Sequence, residues 1–549
     1  MDGLLSLLNA INAVLLSVPV LVTLLLAGVA FTLFSGFSQY RSLTHGFALI
    51  SGRHDLAEDG KGVLSHFQAL AAALSATVGL GNIGGVAIAV ALGGPGAVFW
   101  MWMVGIVGMA IKTIEVTLAM LYRDTSNPDN PHGGTMYVCR DGLKALSPKL
   151  ASLGAAAGAL FAIALVLFGL TGGNMFQAWN AAELARSYFG VPGWVSGITL
   201  ALLVGLVIIG GIRRIGQAAA TLVPFMCLVY VACGLWVLMA NAEELPRLFA
   251  LIVRSAFSPL EAQGAFTGAA VGTAFLLGMR RALFSSEAGM GSAPIAHAAV
   301  RTRKPASEGV VAGLEPFIDT IVVCTITALV ILSSGVWERG PTATLDHPPA
   351  FTQSESGQWV PDIETLPAQA AVEEGGQVFL IVRTGGEDGT LQRLYAEVGD
   401  GQRLLWQGLS ATEAPNVRDP GLYLDLPAAA LTAAAFDSAA DGLGQWMVTI
   451  AVWLFALSTM ITWSYYAEQG VVYLAGDRPV LGFRLVWCLL IVVATVGVVR
   501  TDAELDTLST VAIGFMLAIN LPLMMLLAHK AIGAQRSYFA DIKQDHPSS

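Results

Sequence analysis

Residues 75–102 read SATVGLGNIGGVAIAVALGGPGAVFWMW. The stretch is apolar enough for a bilayer, yet it carries Gly79, Gly81, Gly84, Gly85, Gly93, Gly94 and Gly96, with Pro95 among them. Each glycine costs a helix interior about 1 kcal/mol relative to alanine. A membrane segment that keeps so many has a use for interrupted or closely approached backbone. In lipid, irregular backbone survives only when it is buried in protein or lines a cavity. The stretch therefore predicts a helix interrupted near Gly79, about thirteen residues or about 20 Å into its segment. Close helix packing through small residues would leave the same pattern, and both readings stay open at this point.

The composition of the whole chain agrees with a membrane location. Of its 549 residues, 55% are hydrophobic and 12% charged, and the mean hydropathy is +0.66. A soluble domain carries about 25% charged residues. No P-loop, HExxH, paired CxxC or nucleophile elbow occurs, so the sequence offers no enzyme signature and nothing that points to nucleic acid. Cys139, Cys227, Cys233, Cys324 and Cys488 lack metal-ligand spacing. The start, MDGLLSLLNA, lacks the positive region of a cleaved signal peptide, and the apolar run from about residue 13 to 37 suits a span.

Eleven apolar segments follow, near 12–36, 66–92, 95–122, 154–182, 194–212, 217–240, 262–290, 309–335, 445–475, 480–499 and 506–530. Alternate connections are basic, for example Arg213 with Arg214, and Arg301, Arg303 with Lys304. Basic loops mark the cytoplasmic side. The expected topology is a multi-pass inner-membrane protein with its N-terminus outside and its C-terminus inside. It divides into segments one to eight (1–335), an insert (336–444), segments nine to eleven (445–532) and a cytoplasmic tail (533–549).

The insert falls outside on this topology. It holds sixteen acids and five basic residues, a net charge of −11, against −10 for the whole chain. Within it, Gln377–Thr384, Thr390–Val398 and Gln402–Gly408 read as short strands between Gly and Asp turns. A small β-rich lobe is expected, as a solvated decoration, a partner-binding surface or a cap on the outer mouth.

Several motifs resemble the alanine or glycine:cation symporters, also called sodium:alanine symporters. They are the glycine-rich stretch above, HGGTMYVCRDGL (His132–Leu143), LFSSEAGMGSAPIAHAA (Leu283–Ala299), FIDTIVVCTITALVI (Phe317–Ile331) and STMITWSYYAEQGVVYL (Ser458–Leu474). The likeness covers the membrane part and leaves out the insert. Two positions depart from the family pattern: Leu80 replaces the hydroxyl residue of GTGN, and Ser286 replaces the asparagine of FSNEAG. The resemblance implies a LeuT-like fold, in which segments two to six and seven to eleven are inverted repeats, each opening on a broken helix, and segment one is extra. It implies a sodium-driven symporter of a small neutral amino acid, with sodium as coupling ion, no other cofactor and no covalent chemistry. The proton-coupled alternative, a channel or facilitator, and a membrane sensor are the competing functions. The sequence says nothing of the oligomeric state.

On that basis, backbone at Gly79, Leu80 and Gly81 is assigned to the substrate carboxylate. Segment seven offers two places for its break, Thr267–Thr273 and Ser285–Ser292. Placing the second at the midplane would put Arg280 and Arg281 in hydrocarbon, at roughly 3 kcal/mol each. The break is therefore expected at Thr267, Gly268 and Gly272, facing the substrate amine, with Arg281 and Glu287 in a cytoplasmic-side gate where the two could pair. The resemblance makes Ser458 and Thr459 sodium ligands together with carbonyls of Ser75 and Val78; hydroxyl back-bonding to the helix is the alternative. Asn82 and Asp319 are polar in apolar runs and are candidates for a second cation, with Asp319 alternatively carrying a proton or pairing with a buried donor. Asn174, Phe176, Gln177 and Trp463 could line the site. Lys112 and Glu115, spaced i, i+3, are expected to form an ion pair.

Overall fold

The computed structural model describes residues 2–53, 61–127, 131–257, 271–354, 357–370, 372, 374–385, 390–426, 428–498 and 502–545. The body is helical and polytopic. Among the described residues, seven helices are long and apolar enough to cross a membrane, including Ala10–Phe34, Gly96–Leu121, Pro305–Ser334 and Leu443–Ala475. His66–Thr77 and Gly81–Gly93 make an eighth span, bent by 56° at its break. Gly193–Ile208 and Val480–Thr495 are shorter apolar helices, and Val271–Ser286 occupies segment seven. Each of the eleven apolar segments thus has its helix, and the last continues as helix to Asp545.

The two halves of segment two begin and end for local reasons. Ser65 and Gln68 form a reciprocal capping box at its start. Val78 leaves the helix with φ −74° and ψ 94°, and the chain resumes at Gly81 as a wide π-turn, Gly81–Gly85. Two further segments with buried polar residues share that irregularity: π-turns span Thr171–Met175 in segment four and Phe317–Cys324 in segment eight. Such turns concentrate at functional sites.

The insert contains a five-stranded antiparallel sheet in the order β1-β7-β4-β5-β6, with β1 at Ala343–Thr344, β4 at Gln377–Thr384, β5 at Thr390–Val398, β6 at Leu404–Trp406 and β7 at Asn416–Leu424. β2 (Phe351–Gln353) and β3 (Trp359–Pro361) pair separately. Val378, Leu380 and Val382 alternate inward from β4 to meet Leu394, Ala396 and Leu422 in its own small core.

The lobe does not stand apart from the membrane body. Helix Ala428–Asp437 buries Leu431, Ala433, Ala435 and Phe436 in the main core, and the Thr432 hydroxyl donates to the Ile83 carbonyl at 3.1 Å, just beyond the first break. From β5, the Arg393 guanidinium donates to the Ala91 carbonyl at 2.9 Å and lies 3.4 Å from Asp425. A cation at the carboxyl end of a helix meets the negative end of its dipole. The Arg393→Met variant should lose about 1–3 kcal/mol and show faster amide exchange over residues 86–93. Unchanged exchange there would mean that the contact holds nothing.

Candidate functional site

Three elements converge on the first break. Asn82 closes it from within: its side-chain oxygen accepts from the Gly79 N–H at 2.9 Å. The same amide donates to the Asp319 carboxylate, which also accepts from the Thr320 hydroxyl at 2.9 Å. Asp319 is fully buried, and no basic side chain pairs with it among the described residues. An ionised carboxylate in that position lacks its countercharge and is a strong attractor for a cation.

Segment nine approaches from the other side. The Thr459 hydroxyl donates to the Ser75 carbonyl at 3.1 Å. The Ser75 hydroxyl donates to the Ser458 carbonyl at 2.7 Å, and Thr462 donates to the Ser75 hydroxyl at 2.9 Å. Ser458 itself back-bonds to Phe455 at 3.0 Å. The alternatives read from the sequence are thus divided between the pair, with Thr459 crossing to segment two and Ser458 turned to its own helix. The result is a knot of oxygen atoms, the donor set that hard cations prefer.

Among the described residues, segment seven is interrupted at 287–293, between helices Val271–Ser286 and Pro294–His297. Glu287, Gly289 and Gly291 take φ of 50°, 89° and 85°. Gly291 must be glycine, since a Cβ there would stand 2.3 Å from the Thr135 hydroxyl. The turn is buried and held by polar groups on two helices and by a bond of its own. The Gly291 N–H donates to Glu115 at 2.8 Å. Asn520 donates to Gly289 O at 2.8 Å and to Glu115 at 2.5 Å. Ser292 donates to Glu287 at 2.5 Å.

The two breaks share a cavity of about 20 Å³, lined by Gly79, Leu80, Gly81, Gln177, Glu287 and Thr459 and walled by the rings of Phe168, Phe284 and Trp463. The rings of Phe168 and Trp463 meet at a tilt of 57° with centroids 4.4 Å apart. Gln177 donates to Gly172 O at 3.0 Å, while its side-chain oxygen is buried without a hydrogen-bond partner among the described residues. A buried acceptor of this kind is costly unless something donates to it.

The family model for the sodium:alanine symporter family matches residues 1–366 and 421–549. The chain belongs to this family. The sodium/alanine symporter AgcS of Methanococcus maripaludis is 34% identical over 97% of both chains. The sodium/proton-dependent alanine carrier protein of Bacillus sp. strain PS3 is 28% identical over 88% of this chain and 89% of its own. The solved structure of MhsT in complex with L-phenylalanine is similar with a TM-score of 0.47, at 14% identity, over 87% of this chain and 93% of that one. Residues 367–420 lie outside the family match and carry β4, β5, β6 and the first part of β7.

Within this symporter the expected site residues separate. Ser75, Val78, Gly79, Leu80, Gly81, Asn82, Asp319, Gln177, Ser458, Thr459 and Trp463 gather around the first break. Asn174 turns away and donates to Trp487 O at 3.0 Å, and Phe176 is absent from the cavity lining. Thr267 and Gly268 lie outside the described residues, and Gly272 is inside helix Val271–Ser286.

Two pairings differ from expectation. Arg281 does not pair with Glu287. It lines a cavity of about 310 Å³ with Arg280, Asn12 and Asp506, and Arg280 donates to Leu16 O at 3.2 Å. The hydrocarbon penalty does not apply to arginines that face a protein-lined cavity, so the Ser285–Ser292 break can sit beside the first. Lys112 pairs with Glu315 at 3.1 Å rather than with Glu115, which is spent on the second break. Phe168, Phe284 and Thr462 were not read from the sequence as site residues. Thr462 carries a signal, lying one turn beyond Ser458 on the same helix face; the two phenylalanines carry none.

Proposed function

We propose that this protein is a secondary active symporter that imports a small neutral amino acid, alanine or glycine, together with sodium. The observation that carries the reading is the cavity itself: two interrupted helices meet there, beside a buried, unpartnered Gln177 oxygen and the oxygen cluster of Ser75, Ser458 and Thr459. The amino end of Gly81–Gly93 offers N–H groups and a positive dipole end to a carboxylate. The carboxyl end of Val271–Ser286 and the Gln177 oxygen suit an ammonium group. Phe168, Phe284 and Trp463 leave space for about one water, so these rings must move to admit alanine and will exclude large side chains.

Sodium is assigned to the Ser75 and Val78 carbonyls with the Ser458 and Thr459 hydroxyls, and a second cation to Asp319 with Asn82. The breaks fall in segments five apart, which supports the LeuT-like arrangement of two inverted repeats. The basic loops support an outside N-terminus and insert. Cation binding would favour the outward-facing state, by no more than its differential affinity for the two states.

Uptake by proteoliposomes tests this. Labelled alanine should accumulate above equilibrium under an inward sodium gradient and fail to do so with potassium. Accumulation that ignores sodium and follows a pH gradient would replace sodium by the proton and move the coupling role to Asp319. Uptake that never exceeds equilibrium would point to a facilitator. Leu80→Thr restores a hydroxyl beside Gly79 and should lower the KM for alanine about three- to tenfold, the worth of one hydrogen bond. An unchanged KM would leave the backbone alone holding the carboxylate.

A further inference from the structure

We propose that Glu308, His297 and Glu315 form a proton-binding site, loaded through His66, that latches the chain just after the second break. The site goes beyond the symport reading and shares no residue with the proposed sodium or substrate positions.

His297 ends the short helix Pro294–His297. Its Nδ1 lies 2.5 Å from Glu308 Oε1 and its Nε2 lies 2.6 Å from Glu315 Oε1. An ionised carboxylate only accepts, and a neutral imidazole has a single N–H. Both contacts are therefore satisfied only when the unit holds one proton more, as imidazolium or as a carboxylic acid. Glu308 Oε2 in turn meets His66 Nδ1, which extends the same requirement to a second ring.

The surroundings sharpen the demand for protons. Glu115, Glu287, Glu308, Glu315 and Lys112 are all buried, and Lys112 lies within electrostatic reach of three of the carboxylates, Glu115, Glu287 and Glu315. Arg123 and Tyr538 lie within electrostatic reach of Glu308, and Tyr466 faces Glu115, Glu287 and Glu315. Arg123 spends its guanidinium on the carbonyls of Ala298, Val300 and Thr302. Uncompensated buried charge costs several kcal/mol, and protons on the two histidines reduce it. His66, the first residue of its helix, is 7% exposed, whereas His297, Glu308 and Glu315 are at 0%. The proton's way in is thus at the end of segment two where Arg301 N–H bonds Leu64 O, among the basic loops and at the far end of the segment from the insert.

The latch follows from which parts the ring joins. His297 sits five residues after Ser292, on the stretch that leaves the break, while Glu308 and Glu315 stand on segment eight and the residues leading into it. With the extra proton, the ring donates to both carboxylates and fastens the two. Without it, a ring lone pair faces a carboxylate at the same separation, and the contact opens. Acidifying that face holds the stretch in place, and raising its pH frees it.

The full-length protein, with nitrogen-labelled histidines in nanodiscs, supplies a readout independent of transport. The His297 ring signals, assigned by their loss in His297→Gln, should titrate between about pH 5 and 9, and Glu308→Gln should shift that titration. A His297 ring that keeps one protonation state throughout, or a titration indifferent to Glu308→Gln, would overturn the proposal. In proteoliposomes at a fixed sodium gradient, wild-type alanine flux should change at least about threefold with the pH of the His66 face, within the tenfold per pH unit that one coupled proton permits. His66→Gln and His297→Gln should flatten this profile. Should His297→Gln fail to fold, His66→Gln still decides through the pH dependence of the flux. A normal His297 titration in a protein that moves no alanine would overturn the symport reading and leave the proton site standing.

Discussion

Lys112→Met should destabilise the folded protein by about 3–5 kcal/mol, the cost of stranding one partner of a buried ion pair. Lys112 Nζ lies 3.1 Å from Glu315 Oε2, and both side chains are fully shielded from solvent. The substitution removes the cation and keeps most of the volume. Glu315 would then face His297 with no lysine to offset it, beside Glu115 and Glu287. The companion experiment separates charge from packing. In K112M/E315Q the stranded carboxylate becomes a neutral amide that still accepts from His297, and most of the lost stability should return. Thermal unfolding of the detergent-solubilised protein checks both. A Lys112→Met variant within about 1 kcal/mol of wild type would show that Glu315 is neutral or compensated from elsewhere.

Thr459→Val should raise the sodium concentration for half-maximal uptake at least about tenfold. A hydrogen bond or ligand contact to a charged group is worth about 1.5–3 kcal/mol, and valine keeps the shape while deleting the oxygen. The same change removes the 3.1 Å bond to Ser75 O, a neutral bond worth only about 1 kcal/mol to the fold. The variant should therefore remain folded and lose mostly its response to sodium. Alanine binding at saturating sodium should change much less than the sodium dependence. If half-saturation by sodium is unchanged, the Ser75–Thr459 cluster is a structural joint and the cation belongs at Asp319. Thr462→Val is the internal control, since Thr462 bonds the Ser75 hydroxyl but carries no proposed ligand role.

The membrane body was readable because hydrophobic runs of about twenty residues have few alternatives. The first break was readable for a related reason, since Gly79, Gly81, Gly84 and Gly85 make an uninterrupted helix costly within two turns. The expectation for the second break rests on one assumption, that Arg280 and Arg281 face lipid; Thr267 and Gly268 lie outside the described residues, and the interruption among the described ones falls at 287–293. The cavity they share with Asn12 and Asp506 depends on packing among three distant parts of the chain, and local sequence does not report it. The same limit explains Lys112. Its neighbour on the helix, Glu115, was the nearest candidate by spacing, whereas Glu315 comes from segment eight. Asn82 and Asp319 were each conspicuous as polar residues in apolar runs, but their direct contact is a tertiary fact. In the insert, alternation and turn residues marked β4 and β5 to their ends, while helix Ala428–Asp437 looked like part of a solvated lobe until its apolar face was seen against the core.

The grip of Arg393 on Ala91 has a consequence for the transport cycle. β5 belongs to the stretch beyond the family match, so one end of a helix common to the family is held by a part that the shared pattern does not supply. Any tilt of the Gly81–Gly93 half-helix during transport must carry the sheet along or break this contact. The lobe thus becomes a load on the moving part. Anything that stiffens or weighs down the sheet from outside, an antibody fragment or a crosslink, acts as a brake applied at a distance from the cargo.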